Sequence, residues 1–174
     1  IAKSAHVAKP SLDKASGTQQ VDWISGAFLM AKKDAIDKAG MLDESFFLYG
    51  EEVEWCYRLG KIGSLELYGN LSVVHLEGVN ISNASGSVVN DYNHVFDKKG
   101  LQLMVSNHLL VRKVFGLSWC LFHYFNYIWG SFIYLIASPM NQKKNALRFI
   151  GNCLILTTWM PAILLNVKKL YKIL

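Results

Sequence analysis

The sequence predicts an α/β domain followed by a mostly α-helical, apolar, membrane-associated tail, and two contrasts predict it. Charge divides unevenly: residues 1–100 hold 10 Lys/Arg and all 13 Asp/Glu, while residues 101–174 hold 8 Lys/Arg and no acid. Apolar patterning changes at the same place. The first hundred residues alternate short strand-like and helix-like segments, whereas the remainder contains two uncharged runs, Val114–Gln142 and Phe149–Val167, of 29 and 19 residues. Such an asymmetry points to different environments for the two parts.

Taken in order, residues 1–20 are polar, carry Pro10 and Gly17, and read as a loop or mobile arm. Residues 21–31 read as a strand broken by Gly26, where a bulge or a close approach by a ligand is expected. Lys32–Ala39 reads as a short helix that Gly40 ends. An aromatic loop at Met41–Gly50 leads into a helix over about 51–62. Its three leading acids and its trailing Arg58 and Lys61 both suit the helix dipole. Trp55, Leu59 and Ile62 share a face of that helix, which is expected to be buried. Leu65–Tyr68 and Leu71–Leu76 read as strands around a Gly69-Asn70 turn, and 77–90 as a loop. Asn90–Gly116 is helical in pattern, and the uncharged runs follow. The domain organisation is thus an arm at 1–20, an α/β part at 21–100 and a basic helical membrane-association region at 101–174.

Three cysteines, Cys56, Cys120 and Cys153, stand without paired spacing. They exclude a CxxC zinc site and a disulfide framework, and read as buried thiols. The basic residues of the tail flank apolar runs rather than interleave with polar ones. That arrangement selects a lipid surface over nucleic acid.

Three features carry chemistry. Glu51, Glu52 and Glu54 crowd one helical turn after Gly50. Mutual repulsion raises a carboxyl pKa and the helix N-terminus lowers it, so one of these acids can act as a general base; acids in a first turn also serve the dipole alone. His75 closes the apolar strand 71–74 and reads either as a structural group or as a metal ligand. In Trp23-Ile24-Ser25-Gly26-Ala27, small residues leave room for a sugar or phosphate against the backbone, and Trp23 offers a ring face; the alternative is an ordinary tryptophan beside a bulge.

Together and in this order, these segments resemble the family-2 glycosyltransferases of the GT-A fold, and within them the rhamnosyltransferase-like branch that builds bacterial surface polysaccharides. The resemblance is carried by Val21-Asp22-Trp23-Ile24-Ser25-Gly26-Ala27, by Gly40-Met41-Leu42-Asp43-Glu44-Ser45-Phe46-Phe47-Leu48-Tyr49, by Glu51-Glu52-Val53-Glu54 with Arg58, and by Val73-Val74-His75. It implies the C-terminal, acceptor-side part of a GT-A domain. It makes Glu52 the catalytic base, with Glu51 beside it; the family's usual aspartate is one methylene shorter, a departure that also suits a non-catalytic scaffold of the same fold. Trp23, Ser25, Gly26, Ala27, Asp43 and Glu54 are implied to bind sugar or acceptor, and His75 to ligate Mg²⁺ or Mn²⁺. The implied reaction is inverting transfer from a nucleotide-sugar donor to a glycan or lipid-linked acceptor. No D-x-D is present, since Asp34-Ala35-Ile36-Asp37 has the wrong spacing. The nucleotide-binding half is therefore expected upstream of a fragment that is inactive alone.

Each uncharged run is long enough to span a bilayer, which takes about 20 residues. Trp119, Tyr124, Tyr127, Trp129 and Tyr134 suit a membrane interface. Two spans would put Lys143, Lys144 and Arg148 outside a cytosolic catalytic half, against the positive-inside rule. A monotopic tail on the cytoplasmic face of the bacterial inner membrane is expected instead, the rivals being a two-span hairpin and a soluble bundle or homo-oligomer interface.

Overall fold

The structure, a computed structural model, describes residues 17–73 and 95–174. Helix dominates the described residues, and the sheet is one antiparallel pair. The elements run β1 (Thr18–Val21), α1 (Lys33–Ala39), α2 (Glu51–Gly60), β2 (Leu65–Tyr68), α3 (Lys98–Val114), α4 (Leu117–Ala137), a 3-10 turn at Met140–Gln142, and α5 (Lys143–Leu164).

Local signals placed most of these elements. Gly40 takes φ +79° and donates its N–H to Ile36 O, which stops α1 where the sequence predicts. Asp97 opens α3 by accepting the Gly100 N–H at 2.7 Å. The sheet departs from expectation. β2 pairs with β1 (Thr18 opposite Tyr68, Val21 opposite Leu65), not with the segment after Gly69-Asn70. Leu71, Ser72 and Val73 lie outside any strand, and the rest of that expected strand falls outside the described residues. The strand expected over 21–31 ends at Val21. Beyond it the backbone groups are otherwise engaged: the Ile24 N–H bonds Cys56 Sγ, the Ala27 N–H bonds Ser25 Oγ, and the Phe28 N–H bonds Ser25 O. Residues 18–20, expected in the arm, supply β1, and 1–16 fall outside the described residues.

The expected buried face of α2 is also rotated. Leu59 is buried, but its companions are Glu54 and Cys56; Ile62 is exposed, and Trp55 is half-buried with Nε1 donating to Gly40 O at 2.8 Å.

α3 is the hub of the molecule. Leu101, Met104, Val105 and Leu109 are buried against Cys120 of α4 and against Cys153, Leu156, Met160 and Ile163 of α5. A Leu→Ala change at Leu109 should cost about 2–5 kcal/mol, because the site is closed on all sides. All three cysteines are free and buried, as the composition indicates. After α5, Asn166 adopts φ +51°, the chain turns back, and Tyr171 docks on the aromatic loop: its N–H bonds Ser45 O at 3.0 Å and it forms a β-bridge with Phe46. Gln102 of α3 clamps this strap, donating to Tyr171 O at 2.9 Å and accepting from the Ile173 N–H at 2.8 Å.

His108, wholly buried in α3, donates from Nδ1 to Met104 O at 2.7 Å and leaves Nε2 without a partner, its ring beside those of His123, Tyr124 and Tyr127. Burial holds its pKa down from 6.5 to about 4. The unfolded chain then binds a proton at His108 before the folded one does. This contribution is complete above pH 6.5 and falls away as pH drops to about 4. The loss should reach about 3 kcal/mol, read as a fall in Tm that a His108→Gln variant flattens.

Candidate active site

The turn into α2 sets the site. Tyr49 and Gly50 both have positive φ, +70° and +88°. The left-handed geometry suits Gly50 and strains Tyr49, the kind of outlier that collects at functional turns. It swings the chain so that Glu51 and Glu52 begin α2 directly, with Gly50 as N-cap. The turn is seated by its surroundings: Ser106 Oγ donates to Leu48 O at 2.6 Å, and a methyl group added at Gly50 would sit 3.6 Å from Phe46 and 3.8 Å from Leu110.

Gly26 lies over Glu52. A methyl group there would stand 3.5 Å from Glu52 Cβ and 3.7 Å from its Cγ. One turn on, Cys56 Sγ accepts the Ile24 N–H at 3.4 Å and donates to Ile24 O at 3.7 Å. The 24–26 backbone is therefore pinned along the Glu52–Cys56 face of α2. Trp23, Ser25, Gly26 and Ala27 are all exposed beside it. Burial raises the Glu52 carboxyl above its ordinary 4.5; the Glu52 backbone N–H pulls it back, the Glu51 charge adds to the rise, and the Gly50 N–H opposes it. Glu51 keeps one buried carboxylate oxygen without a hydrogen-bond partner.

The other expected ligand-binding acids lie elsewhere. Glu54 points to another side of α2, two residues or about 200° around the helix from Glu52. It is buried in a bidentate pair with Arg58, whose Nε and Nη2 reach it at 2.8–3.0 Å. The same guanidinium donates to Ala39 O and, at 2.8 Å, to Met41 O. Asp43 bonds the Ser45 N–H at 2.9 Å and pairs with Lys113 of α3 at 2.7 Å. Burial pushes the Asp43 carboxyl up, but Lys113 and Ser45 outweigh it and hold it below the usual range. Asp43 and Glu54 line a cleft of about 540 Å³ with Glu44, Arg58, Lys168 and Lys169, and Glu52 is not among its walls. The structure thus lays Gly26 of the Trp23–Ala27 segment on Glu52, with Glu51 its neighbour in the same turn, and sets Asp43 and Glu54 apart around a second hollow. Sequence reasoning missed the bracing role of Arg58, although its i,i+4 spacing from Glu54 was a visible signal.

His75 lies outside the described residues. Among the described residues no three His, Cys, Asp or Glu side chains cluster. The acids present do not by themselves fit a divalent-ion site.

Comparison with known proteins finds glycosyltransferases. Over 48 residues, 28% of this chain, it is 42% identical to N-acetylglucosaminyl-diphospho-decaprenol L-rhamnosyltransferase from two strains of Mycobacterium tuberculosis. Over 119 residues, 59% of this chain, it is 27% identical to the low-salt glycan biosynthesis hexosyltransferase of Haloferax volcanii. The relatives are glycosyltransferases. The matched stretches span 16% of the mycobacterial enzyme and 39% of the archaeal one. No protein-family description matches the chain, and no solved structure does. The chain therefore resembles glycosyltransferases in sequence, through stretches shorter than the whole enzymes.

Proposed function

We propose that this chain is the acceptor-side part of an inverting GT-A glycosyltransferase of the family-2 type, and that Glu52 is its general base. The observation that carries the reading is the seat of Glu52: a half-buried carboxylate of raised pKa, at the start of a helix, beside an exposed strip of small residues. In the proposed step an acceptor hydroxyl gives its proton to the Glu52 carboxylate while its oxygen attacks the anomeric carbon of a nucleotide-activated sugar. The bond from that carbon to the diphosphate breaks, its electron pair leaves with the nucleotide diphosphate, and configuration inverts. A base with a raised pKa accepts that proton more readily, and the missing side chain at Gly26 lets the Glu52 side chain lie against the 24–26 backbone. A divalent ion is expected only with His75 and acids outside the described residues, and no part of this step is routed through it.

A glycan or lipid-linked acceptor, in cell-surface polysaccharide synthesis at the cytoplasmic face of a bacterial plasma membrane, suits the apolar tail. Membranes from cells expressing the full-length protein, incubated with a panel of radiolabelled nucleotide sugars, should transfer label to solvent-extractable lipid or glycan. No transfer above that of control membranes with any donor would sink the reading. The rate should fall on the acid side with a midpoint above the ordinary carboxylate value of 4.5, because Glu52 must be ionised to act.

A further inference from the structure

We infer that α4 and α5 lie flat in one leaflet of an anionic membrane, with α3 and the catalytic half on the water side, and that neither helix spans. By length each qualifies: 21 and 22 residues reach about 30 Å, the thickness of the hydrocarbon core. Among the described residues Met140–Leu164 is the one helix apolar enough to cross, with mean hydropathy 1.4, and only 22% of its apolar stretch is buried. A core helix of a soluble bundle would be mostly covered.

The placement of α3 decides between spanning and lying flat. It runs along the hairpin rather than capping its end. At its start, Phe96 packs on Tyr134 of α4 and Phe149 of α5, and Asn152 of α5 donates to Val95 O and Asp97 O at 2.8 and 3.0 Å. At its middle, the His108 ring meets His123, and at its end Arg112 donates to Leu164 O at 2.9 Å. The contact follows the hairpin for about 20 Å at 1.5 Å per residue. The far side of α3 carries the catalytic half: Ser106 holds Leu48, Leu110 sits under Gly50, and Lys113 holds Asp43. A hairpin standing upright in a bilayer would therefore drag the Glu51–Glu52 turn, Asp43 and Lys113 to the depth of the acyl chains, where charged groups are strongly disfavoured. Laid flat, the same arrangement keeps every one of them in water.

The face turned away from α3 suits the acyl boundary. Trp119, Phe122, Trp129 and Ile136 of α4 and Leu147 and Leu154 of α5 are all exposed, and bulky aromatics of this kind settle at membrane interfaces. Lys144 and Arg148 are exposed on α5 beside it, and residues 101–174 hold no acid, so the complementary surface is anionic. Other tail cations are engaged in structure: Arg112 caps α5, Lys143 caps α4 through Leu135 O, and Lys113 pairs with Asp43.

The test uses the full-length protein with its native cysteines replaced. Single cysteines are placed at Asn141, between α4 and α5, and at Lys38, on α1. In sealed membrane vesicles of one orientation, a membrane-impermeant maleimide should reach both sites from the same side. Labelling from opposite sides would mean a two-span hairpin and overturn the inference. With purified protein, vesicles of phosphatidylcholine containing brominated phosphatidylglycerol should quench Trp119 and Trp129. Absence of quenching, with a dimer in solution, would mean that a second copy covers this face and would equally overturn it. Replacing Lys144 and Arg148 with Ala should weaken vesicle binding at least tenfold at low salt; unchanged binding would remove the anionic-lipid part.

Discussion

Glu52→Gln in the full-length protein should lower the rate of sugar transfer by about 10²–10⁴-fold, the usual contribution of a positioned general base. Gln keeps the size of the side chain and its place at the start of α2, so the helix and its contacts should persist, and circular dichroism should be unchanged. What disappears is the ability to take a proton. The loss should fall on kcat, with KM for the donor little altered, because a base acts as the transition state forms rather than when the donor binds. Glu51→Gln tests the division of labour: its carboxylate has a buried oxygen without a partner but does not face Gly26 as Glu52 does, so a loss within about tenfold is expected. If Glu52→Gln keeps most of its activity and Glu51→Gln does not, the roles are reversed. If both stay active, the acidic turn is not the catalytic centre.

Arg58→Ala should be the most destabilising single change in the acidic half. Arg58 joins α2 to the end of α1 and to the loop beyond it: one guanidinium serves the Glu54 carboxylate, Ala39 O and Met41 O. The Glu54 side chain is only 8% exposed, and removing its partner strands a buried charge and two carbonyls. Breaking such a pair from one side costs about 3–5 kcal/mol. Arg58→Lys should recover only part of this, since an ammonium cannot reproduce the planar fork that reaches three acceptors. Urea denaturation of the two variants, with Glu54→Gln/Arg58→Met as a neutral pair, separates the ion pair from the packing of the side chain. Equal stability of Arg58→Ala and the parent chain would show that the clamp carries nothing.

The candidate site was partly legible in the residues. Glu51 and Glu52 after a glycine, and small residues at 25–27, announced themselves by chemistry and spacing, and the structure lays Gly26 on Glu52. Asp43 and Glu54 are acids of the same motifs, yet they are anchored to Lys113 and Arg58 around a different cleft. The i,i+4 spacing of Glu54 and Arg58 was visible in the chain, but nothing in a linear string tells that Asp43 will find Lys113 across the fold. Arg112, Lys113 and Lys143 carry the same lesson: all read as membrane-facing charges, and all are spent on helix ends or an ion pair.

Helices α1 and α2, the Gly40 stop, strand β2 and the long apolar helices follow from short-range rules: capping, dipole preference, period and the absence of charge act within a few residues of chain. Partnership does not. β2 joins β1 across some forty residues, the Tyr171 strap returns to Ser45, and α3 lies lengthwise between the acidic half and the tail, because the buried faces of α3 and the free hydrogen-bonding groups of Gln102 and Ser106 are satisfied only there. Long-range contacts of this sort are chosen by the shape and polarity of surfaces that exist only once the local elements have formed.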